Sequence, residues 1–242
     1  MADDFSECHD LAEQEPDKLK EMTIRWWFEA SKYNVLPLDD RLAARMADPR
    51  PGIGRPRDTY TYFPHTSPVP TDAAARTIGR SYSITAHVDI PDGGAEGVLL
   101  AQGAFIGGVS LFVQHNYLVF VHNYVGIEEY RLTSDDEVPK GKSELRFEFA
   151  YDGGQRGAGG TGTMYINGKK AGEGRIPRTC PISYSLSGEG LCCGWDSETP
   201  VSKAYKSPFK FTGTIEKVVM DVSGEVPERK PAEEAQMALT RD

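Results

Sequence analysis

The stretch ELRFEFAY, residues 144–151, has the clearest alternation of apolar and polar side chains in the chain. Leu145, Phe147 and Phe149 fall on one face of an extended strand, because successive side chains point to opposite sides of a sheet. The same two-residue period extends over residues 80–223, in segments separated by turn residues and with no helical pattern between them. The sequence therefore predicts a mostly β fold, an antiparallel β-sandwich.

Two glycine-containing segments refine this prediction. Asn167-Gly168 lies between two alternating segments, and this dipeptide favours the tight turn of a β-hairpin. Residues 157–162, GAGGTG, satisfy the GxGxxG pattern of dinucleotide-binding proteins. A strand rather than a helix is predicted after them, so no helix N-terminus is available for a pyrophosphate. We therefore predict a flexible hairpin loop over residues 152–162.

One helix is predicted, over residues 16–33. Its apolar residues recur at intervals of three and four positions: Leu19, Met22, Trp26, Ala30 and Tyr33. Pro16 suits the first turn, where a missing N–H costs little. Trp27 and Phe28 widen the apolar face beyond one amphipathic side, so the helix needs a partner surface. We expect part of this face to be exposed within this chain.

The pattern divides the chain into four regions. Residues 1–36 hold a terminal strand and the amphipathic helix, and residues 37–79 form an extended, proline-rich strap. Seven prolines lie between positions 37 and 70, and each removes a backbone donor and disfavours helix. Residues 80–223 are the sandwich, and residues 224–242 are a charged tail.

Composition excludes several classes of protein. Hydrophobic residues make up 39% of the 242 residues and aromatic residues 10%, which fits a folded globular protein. The net charge of -9 argues against a nucleic-acid partner. No apolar run approaches the roughly 20 residues that span a bilayer, and no export signal is recognisable, so we expect a cytoplasmic protein without a membrane partner. The four cysteines, at positions 8, 180, 192 and 193, lack metal-ligand spacing.

Spacing assigns no catalytic, cofactor-binding or metal-binding residue. The pairs His115-Asn116 and His122-Asn123 are seven positions apart, so in one strand the histidines face opposite sides and cannot bind one ion together. Both pairs are expected to flank turns. Residues 194–200, GWDSETP, are interpreted as a capped turn, with a hard-cation site of oxygen ligands as the alternative. The closely spaced carboxylates of many sandwich-fold glycosidases are not present in the sequence.

Several segments resemble the C-terminal part of bacterial type I arylsulfatases. DFSECHDLA at residues 4–12 and YNVLPLDDR at residues 33–41 are similar to the end of the catalytic domain in that family. The other matching segments are YDGG at 151–154, GGTGT at 159–163, NGK at 167–169, GRIPRT at 174–179 and GTI at 213–215. The resemblance implies that the sandwich is a jelly roll of concanavalin A or laminin G type. It also implies that Trp26, Trp27 and Phe28 pack against a sulfatase catalytic domain.

The chemistry of that family has no counterpart here. Arylsulfatases make a formylglycine nucleophile from Cys or Ser in a C/S-x-P-x-R motif and bind calcium beside it. In Cys180-Pro181 the proline comes one position too early, and the arginine is missing. The resemblance therefore implies a non-catalytic accessory fragment of an arylsulfatase, which shapes or stabilises the catalytic domain and needs no cofactor of its own. We expect this chain alone to be inactive toward sulfate esters.

The alternative comes from a different functional class, a lectin-like glycan-binding β-sandwich. Such a module places an exposed aromatic ring beside a loop rich in carboxylates. Trp195 followed by Asp196 is the single hint of this kind in the sequence. An independent hydrolase, the third option, has no supporting arrangement of residues.

Overall fold

The computed structural model describes residues 6, 8–33, 35–36, 38, 57–71, 73–184 and 189–224. The chain forms two compact units, Met1–Gly52 and Ile53–Asp242. Most of the predicted strap between residues 37 and 56, and residues 225–242 of the predicted tail, lie outside the described residues.

The described part of the first unit is the helix α1, Pro16–Lys32. Pro16 occupies the first turn with Asp17, and Lys32 lies in the last turn, where a positive charge meets the negative end of the helix dipole. Ala30 is the one α1 residue whose side chain is buried. Trp26, Trp27 and Phe28 are 42%, 52% and 65% exposed. This agrees with the expectation that part of the wide apolar face is exposed within this chain. Among the described residues, no helix combines the length and hydropathy needed to span a bilayer.

The second unit is a two-layer antiparallel β-sandwich, which confirms the predicted fold. Its described strands are β1 Thr59–Tyr62, β2 Tyr82–Ile90, β3 Gly97–Ala104, β4 Gly107–Gln114, β5 Tyr117–Tyr124, β6 Glu128–Glu137, β7 Gly141–Tyr151, β8 Ala158–Ile166, β9 Lys169–Arg178, β10 Leu191–Cys193 and β11 Thr214–Asp221. One sheet has the order β1-β11-β2-β7-β8-β9, and the other has the order β10-β3-β4-β5-β6. Residues 182–184, at the end of the described stretch after β9, form bends and irregular backbone rather than a strand.

The core lies between the two sheets and is centred on β7. Leu145, Phe147 and Phe149 are buried, as the alternation predicts. Phe147 stacks on Phe120 of the opposite sheet, with ring centroids 3.6 Å apart. Burying each large apolar side chain contributes roughly 1.5–3 kcal/mol, so this stretch contributes strongly to holding the layers together.

Strands β3, β4 and β5 of the five-stranded sheet are buried on both faces, which alternation alone did not predict. Residues 194–213, between β10 and β11, lie across its outer face and form what we call the covering segment. Val201 and Tyr205 of this segment pack on Phe112 and Val119, with Phe209 beside them. Alternate side chains of β3, β4 and β5 therefore face two different apolar layers, rather than the core on one side and solvent on the other.

The glycine-rich segment is part of a strand, so the predicted loop over residues 152–162 is wrong for its second half. β8 begins at Ala158 and pairs with both β7 and β9. A Cβ at Gly160 would lie 2.4 Å from the Phe149 ring, and one at Gly162 would lie 2.7 Å from the Phe147 ring. Glycine is needed here because aromatic rings of β7 occupy the space above the strand. The Asn167-Gly168 turn between β8 and β9 is confirmed.

Candidate functional site

A cavity of about 900 Å³ opens beside the end of β10. Three stretches of the second unit line it: residues 64–66 after β1, residues 193–198 after β10, and the end of the covering segment with the start of β11. None of these stretches is adjacent to the others in sequence. The cavity therefore exists only because the sheet order brings β1, β10 and β11 to one side of the sandwich.

Backbone hydrogen bonds fix the wall that carries Trp195. The Gly194 N–H donates to the Leu99 carbonyl at 3.0 Å, and the Gly194 carbonyl accepts from the Phe211 N–H at 3.0 Å. The Asp196 N–H donates to the Pro208 carbonyl at 2.9 Å. Gly194 has a φ of 83°, a conformation that glycine adopts without strain, and this turns the chain at the end of β10. The two ends of the covering segment are thus tied to each other.

The cavity combines two aromatic rings with a polar rim. Trp195 and Phe211 are half-buried and line its interior, and buried Ile215 contributes to its apolar floor. Exposed polar side chains line the rest: His65, Thr66, Glu198, Lys210 and Thr214. A ligand that fits must present an apolar face to the rings and hydrogen-bonding groups to the rim.

Asp196, the carboxylate named with Trp195 in the sequence, is committed to the fold. Its side chain is buried and accepts hydrogen bonds from the Ser197 N–H at 2.8 Å, the Val201 N–H at 2.9 Å and the Tyr205 hydroxyl at 2.6 Å. The Tyr205 oxygen also lies 2.9 Å from Ser110 Oγ. Burial raises the pKa of Asp196 above its usual value, against the effect of these donors. Asp196 therefore stabilises the covering segment, and it is also part of the cavity lining.

Both Asp196 and Glu198 line the cavity, and Glu198 is the exposed carboxylate of the two. The sequence singled out Asp196 because it follows Trp195, and nothing in GWDSETP says which acid turns inward. The capped turn is the arrangement found, with Asp196 as the capping residue. Among the described residues, no group of three or more His, Cys, Asp or Glu side chains is placed to hold a metal ion.

The two histidine pairs have unrelated positions. His115 and Asn116 form the turn between β4 and β5, both with positive φ. His122 and Asn123 lie inside β5 and are buried, so the expectation that this pair flanks a turn is wrong. His122 Nε2 accepts a hydrogen bond from the Cys180 N–H at 3.1 Å, and burial lowers the pKa of His122 to about 4.

The buried cysteines are not poised for nucleophilic chemistry. Cys180 is fully buried, with its Sγ 3.3 Å from the Asn123 carbonyl, and burial raises the pKa of its thiol. Burial likewise raises the pKa of Cys192 and of Cys193 to about 12. Since the thiolate is the reactive form, these groups are unreactive near neutral pH.

A second, smaller depression of about 380 Å³ lies on the six-stranded sheet, across β11, β2 and β7. Asp89 of β2 is opposite both Thr214 of β11 and Lys142 of β7, and His87 is opposite Glu144. These side chains line the depression together with Glu216. Thr214 lines both this depression and the larger cavity.

Comparison with known proteins gives a likeness of fold alone. No family model matches the sequence, and no curated protein matches it. Domains LG4-5 of the mouse laminin alpha1 chain are similar over 70% of this chain and 40% of that one, at 10% identity and a TM-score of 0.42. The CBM40 of a Ruminococcus gnavus IT-sialidase, bound to alpha2,3 sialyllactose, is similar over 66% of this chain and 82% of that one, at 9% identity and a TM-score of 0.43.

A native SAP-like pentraxin from Limulus polyphemus is similar over 69% of this chain and 75% of that one, at 13% identity and a TM-score of 0.35. The chain is thus similar to laminin G-type and other jelly-roll sandwiches. At these identities and TM-scores the likeness carries no argument about function. The cavity itself has to supply that argument.

Proposed function

We propose that the chain is a carbohydrate-binding β-sandwich module, and that its sugar site is the cavity lined by Trp195. The observation that carries the proposal is the pairing of two half-buried rings, Trp195 and Phe211, with a rim of ionised and hydroxyl side chains. A sugar ring has one C–H-rich face and a periphery of hydroxyl groups. It matches a site that is apolar inside and polar around the edge.

The rim offers both kinds of hydrogen-bonding partner. The Glu198 carboxylate only accepts hydrogen bonds and the Lys210 ammonium only donates them, whereas the hydroxyls of Thr66 and Thr214 do both. Sugar hydroxyls also donate and accept, so each can be satisfied without a metal ion as a bridge. This binding mode requires no chemical step from the chain.

The proposal is tested by measuring calorimetric binding of neutral hexasaccharides with cellulose-, xylan-, mannan- and chitin-type linkages to the wild type and to Trp195→Ala. We expect at least one to bind, and the variant to bind it at least about tenfold more weakly, about 1.4 kcal/mol. Phe105→Ala, which removes an exposed ring outside the cavity, is the matched control and should leave affinity unchanged. If no hexasaccharide binds, or if Trp195→Ala binds as well as the wild type, the proposal fails.

A second candidate is that the chain is an accessory region of an arylsulfatase. Its support is the set of sequence segments similar to that family, together with the exposed rings Trp26, Trp27 and Phe28 of α1. Exposed aromatic clusters of this kind mark surfaces that pack on another protein. We expect a type I sulfatase catalytic domain, added separately, to bind the chain, and Trp27→Ala with Phe28→Ala to weaken that binding. Equal binding by the variant would exclude this role for the helix.

A further inference from the structure

We infer that the ligand is an extended, uncharged oligosaccharide of about three or more sugar residues, which runs from the Trp195 cavity across Thr214 into the depression on the six-stranded sheet. This inference rests on the proposed function and adds to it the length, the path and the charge class of the ligand.

The size of the cavity favours a chain over a single sugar. Sites of roughly 300–1,000 Å³ hold drug-sized ligands, which are larger than one hexose. The Trp195 cavity alone, at about 900 Å³, is near the top of that range. A single sugar ring stacked on Trp195 would fill only part of this volume.

The path out of the cavity passes Thr214. Gly213, just before it, is closely packed, because a Cβ there would lie 2.8 Å from the Asp89 carbonyl and 2.8 Å from the Phe211 ring. Thr214 follows at the start of β11, exposed and in contact with both spaces. A ligand leaving the cavity at this point passes directly onto Asp89 and Lys142, which are the cross-strand neighbours along β11, β2 and β7.

The charges of the depression disfavour a polyanion. Three carboxylates, Asp89, Glu144 and Glu216, line the depression against one ammonium group, Lys142. Carboxylates accept hydrogen bonds from sugar hydroxyls, whereas they repel sulfate and uronate groups within the screening distance of about 8–10 Å. The depression is therefore suited to uncharged sugars and unsuited to sulfated ones.

The test is a chain-length series of the hexasaccharide type that binds best, taken from the monomer through the trimer to the hexamer. We expect affinity to rise at least about tenfold from monomer to tetramer, and a sulfated tetramer to bind at least about tenfold more weakly than the uncharged one. The double variant Asp89→Ala/Glu144→Ala should bind the monomer and dimer as tightly as the wild type does. Its affinity should not rise further as the oligosaccharide becomes longer. Glu173→Ala, an exposed acid at the far edge of the same sheet, is the matched control and should keep that gain.

The outcomes separate the inference from the proposed function. If the monomer binds as tightly as the hexamer, or if the double variant keeps the full gain, the extended path is wrong while sugar binding at Trp195 stands. Tighter binding of the sulfated tetramer overturns the charge class. If no member of the series binds, the proposed function itself fails. A thermal unfolding midpoint close to the wild-type value confirms that the double variant is folded.

Discussion

Trp195, Asp196 and Glu198 lie within four positions of one another and do three different things. All three line the cavity, but Trp195 is half-buried, Asp196 is buried within the covering segment, and Glu198 is exposed. The buried Asp196 carboxylate is tolerated because it accepts hydrogen bonds from two backbone N–H groups and from the Tyr205 hydroxyl. An acid buried without such partners would cost several kcal/mol or stay protonated. At this scale, the local hydrogen-bond donors decide which acid is structural.

His122 makes the stability of the sandwich depend on pH. Its pKa is lowered to about 4 by burial, whereas an unfolded histidine titrates near 6.5. The unfolded chain therefore takes up the proton first, and the contribution of His122 is present above about pH 6.5 and is lost as the pH falls toward 4. We expect the free energy of unfolding of the wild type to fall by about 2–3 kcal/mol more than that of His122→Gln between about pH 7 and pH 4.5, measured by urea denaturation.

The control for this prediction is His115→Gln, since the His115 side chain is 80% exposed and lies in the turn between β4 and β5. Its pH profile should follow that of the wild type. If His122→Gln and the wild type lose stability in parallel on acidification, burial does not keep His122 neutral in the folded chain.

At the scale of elements, the covering segment is held by side chains from three strands of the sheet beneath it. Gln114 of β4 donates to the Ala204 carbonyl at 3.0 Å, and Asn123 of β5 donates to the Val201 carbonyl at 2.7 Å. Glu129 of β6 accepts from the Ser202 hydroxyl at 2.8 Å. These bonds satisfy polar groups that the segment would otherwise bury unpaired against the sheet, which is why a long connection can lie across it.

Val125, in the turn between β5 and β6, has a backbone conformation that valine disfavours. Val125 and Gly126 have φ values of 45° and 75°, and the Ile127 N–H donates to the Tyr124 carbonyl at 2.9 Å. A β-branched residue in the left-handed region costs roughly 1–2 kcal/mol, whereas asparagine adopts it readily. We expect Val125→Asn to raise the free energy of unfolding by about 1 kcal/mol in urea denaturation.

The matched substitution is Asn167→Val in the turn between β8 and β9, where Asn167 and Gly168 have φ values of 51° and 77°. It should lower the free energy of unfolding by about 1–2 kcal/mol, because it also removes the acceptor of the Glu144 N–H at 2.8 Å. A loss of stability in Val125→Asn as large as that in Asn167→Val would mean that packing of the valine outweighs its backbone strain.

For the whole molecule, the expectation concerns one reaction, the hydrolysis of sulfate esters. The sulfatase reaction depends on an aldehyde hydrate made from Cys or Ser in C/S-x-P-x-R. Cys180 lacks that sequence and is fully buried. We expect the purified chain, with added calcium, to show no saturable hydrolysis of a chromogenic aryl sulfate, and the peptide carrying Cys180 to keep the mass of the unmodified thiol.

An active type I sulfatase assayed in parallel is the control for substrate and calcium. Metal-dependent turnover by the chain, or an aldehyde at Cys180, would contradict this expectation. Neither result would bear on the proposed sugar site, because Cys180 does not line the Trp195 cavity.

The sequence by itself determined that residues 80–223 fold as an antiparallel β-sandwich. The alternation of Leu145, Phe147 and Phe149 and the Asn167-Gly168 turn are local patterns, and strand period and turn conformation are local properties of the backbone. The helix α1 followed in the same way from its three- and four-residue spacing. The region boundaries at residues 36, 79 and 223 stay predictions.

Only the tertiary structure decided the site. Residues 64–66, Trp195 and Thr214 are far apart in sequence, and they meet because β1, β10 and β11 end on the same side of the sandwich. Trp195 and Asp196 follow each other in the sequence and both line the cavity, but the hydrogen bond that the Asp196 carboxylate accepts from the Tyr205 hydroxyl, nine positions away, is not visible in the sequence. Strand β8 shows the same limit, because its glycines are explained only by the aromatic rings of β7 above them. The strand period and the turn conformations depend on residues that are close together in sequence, whereas contacts between distant segments form only when the two sheets pack.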